Sequence, residues 1–260
     1  MAPTPDAGSD WETAIIAERG VSVWVDDMLD TDQRHGARVK AAGAKRATLD
    51  DLGSGAAGAD LHIAALASLQ GQPLAGARVL SGLQFLILNP EIGKLRRPRT
   101  GHGSWVVTLG GTDTWGVTVK VVRCLAGTDR AVTVVTGPGF RHGAKLKAVT
   151  PRHFEVKAGV PSLVAELARH DVAVTGGGIT AFEACASGLA CIVVANEPFE
   201  IPFGRHLQSL GCARFAGHHQ ELREAALLEP LAVAEMSAAG LSGVRADGLE
   251  RVCDEIAKLA

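Results

Sequence analysis

The sequence contains no tyrosine, and aromatic residues make up only 4% of its 260 positions. Any acid–base chemistry in the chain must therefore use groups other than a phenol. Cysteine is also scarce. Cys124, Cys185, Cys191, Cys212 and Cys253 are odd in number, scattered and without a CxxC pair, so neither a disulfide frame nor a zinc site is indicated and the thiols read as small buried apolar groups. No apolar run reaches the ~18–20 residues needed to span a bilayer, and the N-terminus lacks the basic-then-apolar order of a signal peptide. A cytoplasmic location is the default expectation. Long basic tracts are missing as well: the densest, from Lys94 to Arg99, is short and reads as a solvated linker, and the net charge is -2. Phosphate-backbone binding needs clustered Lys and Arg, so nucleic acid is not the expected partner. What remains, 47% hydrophobic and 21% charged residues, is the composition of an ordinary globular protein.

Residues 1–10 carry Pro3, Pro5, Gly8 and Ser9 without apolar periodicity, and are expected to form a disordered lead-in. From Trp11 onward short apolar runs alternate with amphipathic stretches, the order of βα units feeding a parallel sheet. Strands are expected at 21–25, 44–49 and 60–64, with a helix between the first two. A Pro- and Gly-rich connector follows over 70–103. Beyond it strands are expected at 105–109, 131–136, 153–157, 172–175 and 191–195, and helices at 117–125, 162–170, 180–187, 202–210, 221–239 with a break near Pro230, and 249–259. The reading is an α/β chain in three parts: the lead-in, a partial N-terminal α/β lobe with its connector over 11–95, and a Rossmann-like domain over 96–260.

Three of these strands run into glycine: Thr108-Leu109-Gly110-Gly111-Thr112-Asp113, Thr136-Gly137-Pro138-Gly139, and Thr175-Gly176-Gly177-Gly178-Ile179-Thr180. Glycine lets a ligand approach the backbone, and the amides at a helix N-terminus suit a phosphate or diphosphate. In an open parallel sheet ligands gather at such strand ends. Together the three make an amide-rich rim, although Thr180-x-x-Glu183 also fits a capping box, with Glu183 turned back to its own helix start.

Between Val21 and Gly217 the chain resembles the hydrolases that release UDP from UDP-2,4-diacetamido-2,4,6-trideoxy-altrose in pseudaminic acid synthesis. More distantly it resembles the C-terminal half of GT-B glycosyltransferases of the lipid-linked peptidoglycan GlcNAc-transferase kind. The stretches that carry this are Val25 to Asp30, Ala41 to Ala44, Leu49 to Leu52, Thr108 to Asp113, and Gly176 to Gly188. The resemblance implies a GT-B-like fold with a Rossmann-type C-terminal domain that binds a UDP-sugar without cofactor or metal. It assigns the diphosphate to Gly177, Gly178 and Thr180, the ribose to Glu183 and the uracil to Val160 with Pro161 and Ser162. Gly110, Gly111 and Gly137 complete the expected rim.

The departures from that family lie in its catalytic parts. The family's histidine loop after the first strand has no counterpart, so the chain reads as N-terminally shortened. Its Asp-x-Tyr segment aligns with Asp26-Asp27-Met28, its Asn-Gln pair falls on Phe199-Glu200 with Asn196 nearby, and Ile179 replaces a serine. Candidate acid–base groups are Asp113 and the histidines His102, His142, His206, His218 and His219. The pairs Asp26-Asp27 and Asp50-Asp51 lack a spaced third ligand for a metal. Two functions are expected: a UDP-sugar hydrolase or glycosyltransferase-like enzyme, with a second polypeptide supplying the missing lobe, or a catalytically degenerate nucleotide-sugar-binding or regulatory protein.

Overall fold

The computed structural model describes residues 11–260; the expected disordered lead-in over 1–10 lies outside them. The described chain forms two compact units, one from residues 11–87 together with Asp247–Ala260 and one from Leu88–Ala246.

The first unit opens with helix α1 (Trp11–Arg19) and continues through strand β1 (Val23–Asp26), helix α2 (Gln33–Ala41) and strands β2 (Lys45–Leu49), β3 (Leu61–Ala64) and β4 (Val79–Ser81). The strands form one parallel sheet in the order β1-β2-β3-β4. Short parallel strands buried on both faces need near-continuous apolar runs, yet β2 carries Arg46, which is 1% exposed. Its Nε donates to Asp26 Oδ2 at 2.6 Å, Nη1 to the Gly55 carbonyl at 2.6 Å and Nη2 to Thr31 Oγ1 at 2.8 Å. Asp51 lies 3.6 Å from the same guanidinium and accepts from Thr31 and Thr48 hydroxyls and the Gly53 amide. Of the four aspartates weighed as metal ligands, Asp26 and Asp51 thus bind Arg46, Asp50 accepts the Ala67 amide and Asp27 is exposed.

The network extends outward through His35, whose ring bridges Asp26 Oδ1 (2.8 Å) and Glu12 Oε1 (2.9 Å), while Arg38 donates to the same glutamate. Burial alone would raise the Glu12 carboxyl, but hydrogen bonds from Arg38 and His35 outweigh it and hold the group at about 2 against an ordinary 4.5. A depressed carboxylate contributes stability above its unfolded value and loses it as pH falls towards the folded one. Urea unfolding at a series of pH values should therefore show stability dropping between pH 4.5 and 2, and Glu12→Gln should flatten that drop.

The second unit contains α3 (Ile92–Leu95), β5 (Ser104–Thr108), α4 (Val117–Leu125), β6 (Ala131–Thr136), α5 (Gly143–Val149), β7 (Glu155–Ala158), α6 (Leu163–Leu167), β8 (Val172–Gly176), α7 (Ile179–Ala186), β9 (Ala190–Ala195), α8 (Ile201–Ser209), β10 (Ala213–His218), α9 (Ala225–Leu228) and α10 (Val233–Gly243). Its six parallel strands are ordered β10-β9-β8-β5-β6-β7. Val107, Val134, Val174, Ile192 and Val194 on the central strands are fully buried, and α4 covers them with Val117, Val121, Val122 and Leu125. The chain returns to the first unit through α11 (Gly248–Ala257), whose Val252 and Ile256 pack with Ala47, Leu61 and Ile63. Sequence reading grouped residues 247–260 with the second domain. An amphipathic helix is placed by whichever apolar face accepts it, and here that face belongs to the four-stranded sheet.

Candidate functional site

In the six-stranded sheet the chain leaves β5 towards β6 and β7 on one side, and leaves β8 towards β9 and β10 on the other. Crossovers that diverge from two adjacent strands open a crevice at their C-terminal ends, the position where open α/β sheets bind ligands. Gly110-Gly111 follows β5 and Gly176-Gly177-Gly178 ends β8, so both glycine turns lie at this switch point.

The turn after β6 closes against the turn after β5, backbone to backbone. A Cβ on Gly137 would stand 2.3 Å from the Gly111 carbonyl oxygen and 2.4 Å from its Cα, and the Gly139 amide donates to that carbonyl at 2.9 Å. Backbone cannot yield as a side chain end can. Gly137→Ala is accordingly expected to destabilise the protein by about 1–3 kcal/mol, measurable as a lower urea midpoint.

A cavity of about 210 Å³ opens between these turns, with Gly110, Gly111, Gly137, Val160 and Thr180 in its wall beside Thr108 and Leu163. Five of the eight residues singled out from sequence thus line one space. That volume is below the ~300–1,000 Å³ of a whole small-molecule pocket, so the cavity can enclose only part of a nucleotide sugar. A second hollow of about 670 Å³ adjoins it, sharing Thr136, Gly137 and Pro138 and continuing past α5 and β7. Ser162 starts α6 just beyond Val160: its hydroxyl accepts the Ala165 amide and donates to Glu91.

Gly177, Gly178 and Glu183 are not part of that wall. Glu183 is half-buried on α7, one turn from Thr180 and on the same helical face. Its carboxylate does not turn back to the helix start. Gly178 is the N-cap, without a side-chain bond, and Glu183 instead accepts the Asn89 amide at 3.4 Å. The capping box considered for Thr180 and Glu183 does not form. Burial pushes the Glu183 carboxyl above its usual range, opposed by the Asn89 amide.

Gly177 has a neighbour that sequence reading missed. Its amide donates to Glu200 Oε2 at 3.2 Å, and the same oxygen accepts the Asn196 amide at 2.6 Å and the Glu197 amide at 3.4 Å. A Cβ on Gly177 would meet Glu200 Cβ at 2.6 Å, and one on Gly176 would meet Asn196 Nδ2 at 2.8 Å. Gly177 is therefore required by the close approach of the 196–200 turn, while a side chain at Gly176 would have to push aside the end of Asn196. A local signal for that turn was present: Glu197-Pro198-Phe199-Glu200 is a reciprocal capping box.

The acid–base candidates are largely committed elsewhere. Asp113 lies at φ 41°, and its two oxygens accept the Val117 and Thr118 amides at 2.7 and 2.9 Å, so it is spent on the first amides of α4, whose N-cap is Gly116. The His142 ring contacts the Thr114 carbonyl. His219 stacks on Trp115 with centroids 5.1 Å apart, and the Trp115 indole donates to Glu197 at 3.0 Å. Burial lowers His206, and burial with the neighbouring His218 lowers His219, so both favour the neutral form. Among the described residues no cluster of three or more His, Cys, Asp or Glu could hold a metal ion, and no helix is long and apolar enough to cross a membrane.

No protein-family model matches the sequence, and no curated protein matches it. Solved structures do resemble it. MurG of Acinetobacter baumannii superposes with a TM-score of 0.67 at 11% identity, over 95% of this chain and 76% of its own. The glycosyltransferase of kitacinnamycin gives 0.63 at 18% identity over 100% and 85%. The glycosyltransferase VinC, solved in complex with dTDP, gives 0.62 at 16% identity over 95% and 74%. The chain has the α/β fold, built on parallel sheets, of the GT-B glycosyltransferases.

Proposed function

We propose that the second unit binds a UDP-sugar, with the diphosphate at the glycine turns and Thr180, the ribose at Glu183 and the base beside Val160. The observation that carries this reading is the cavity at the switch point, whose wall unites Gly110, Gly111, Gly137, Val160 and Thr180. The GT-B fold supports it, as does the nucleoside diphosphate held by VinC. The resemblance to the pseudaminic-pathway hydrolases adds a finer reading, in which water accepts the sugar or a glycosyltransferase-like transfer replaces hydrolysis. In either case amides of the glycine turns would stabilise the departing UDP.

A second reading has its own support. No residue in the cavity wall is titratable, whereas general acid–base catalysis needs such a group within hydrogen-bond reach. This favours a nucleotide-sugar-binding or regulatory protein, or an enzyme whose acid–base group comes from elsewhere, a second polypeptide included. Calorimetry with UDP and UDP-GlcNAc, combined with an assay of UDP release, separates the cases. Binding without turnover supports the second reading, turnover by the isolated chain supports the first, and absence of UDP binding removes both.

A further inference from the structure

We propose that Glu200 is a resident anion of the diphosphate site, a built-in competitor that UDP must displace before the glycine turn can grip it. The proposal rests on the UDP reading above and concerns the regulation of that same site. The Glu200 carboxylate lies on the amide of Gly177, a bond spanning 23 residues of sequence, and its other oxygen lies 3.5 Å from where a Gly178 Cβ would be. Those are the two glycines to which the diphosphate is assigned. The bonds to the Asn196 and Glu197 amides are local and belong to the start of α8. The bond to Gly177 reaches across to the start of α7, and Gly177 lacks a side chain where Glu200 Cβ comes close. The carboxylate thus stands on the Gly177 amide, which would otherwise face phosphate, and a carboxylate and a diphosphate repel each other strongly at such separations. The carboxylate therefore has to withdraw from the Gly177 amide when UDP binds, at a cost in affinity.

Glu200→Gln isolates the charge, because its amide oxygen can still accept the three backbone bonds. Calorimetry is expected to show UDP binding about tenfold or more tighter in Glu200→Gln than in the wild type, with the affinity for uridine, which carries no phosphate, unchanged. Equal or weaker UDP binding by the variant, against measurable binding by the wild type, overturns the proposal and leaves the UDP site standing. Absence of UDP binding by both overturns the UDP site and this proposal with it. A second measurement on the unaltered chain does not depend on the variant folding. Saturating UDP should shift the Asn196 and Glu197 amide resonances as the carboxylate leaves them, and resonances that stay in place at saturation overturn the proposal.

Discussion

Arg46→Ala is expected to lower the stability of the protein by about 3–5 kcal/mol, read as a fall in the urea midpoint of the first unit. The size follows from what the guanidinium leaves behind. Arg46 is buried, and it is the cation facing both Asp26 and Asp51. Removing it strands two buried carboxylates, and the Gly55 carbonyl loses a 2.6 Å donor. Breaking a buried pair from one side costs far more than replacing the whole cluster with apolar groups of similar volume. Arg46→Met combined with Asp26→Leu and Asp51→Leu should therefore recover part of the loss. A single substitution as disruptive as Arg46→Ala, followed by equal disruption in the triple variant, would show that the polar contacts themselves hold β1 to β2.

Glu183→Gln is expected to act in opposite directions on binding and on stability. A ligand hydroxyl held by an ionised carboxylate contributes roughly 1.5–3 kcal/mol, so UDP affinity should fall about 10- to 100-fold, measured by calorimetry. Stability at neutral pH should rise. Burial raises the folded-state pKa of this group above 4.5, so folding disfavours its charged form. Its favourable contribution is complete below the unfolded value and is lost as pH climbs through the folded one. Glutamine avoids that penalty. The variant's advantage in thermal unfolding should therefore be present at neutral pH and vanish below pH 4.5. Glu12 has the reverse sign, so the two carboxylates make separable contributions to the pH profile. A Glu183→Gln protein that binds UDP as well as the wild type would remove the ribose assignment.

Much of the second unit was legible because its signals are local. The helix expected at 117–125 and the strand expected at 131–136 match α4 and β6 residue for residue, since an apolar run bounded by glycine or charge leaves little choice of ends. Among the elements missed besides α1 and α3, three have identifiable reasons. β4 is a three-residue strand inside the Pro- and Gly-rich connector. β10 carries Gly217 at φ 100° and a register break between Phe215 and His218, which disturbs its alternation. α5 is a short helix behind Arg141-His142-Gly143 that buries little besides Leu146. The candidate site divides in the same way. The glycine-ended strands could be read singly, and parallel packing brings their ends together. The Glu200 contact with Gly177 could not be read, because it depends on how two turns meet across 23 intervening residues.

The position of α11 bears on how the protein is made. The second unit is one uninterrupted segment, Leu88–Ala246, whereas the first needs residues from both sides of it. On a ribosome delivering about 5–20 residues per second, the strands β1 to β4 emerge early and wait on the order of ten seconds for Val252 and Ile256. During that interval the face formed by Ala47, Leu61 and Ile63 lacks its cover. Nascent chains stalled before Gly248 should therefore engage chaperones through the four-stranded sheet, while the later-made unit closes first.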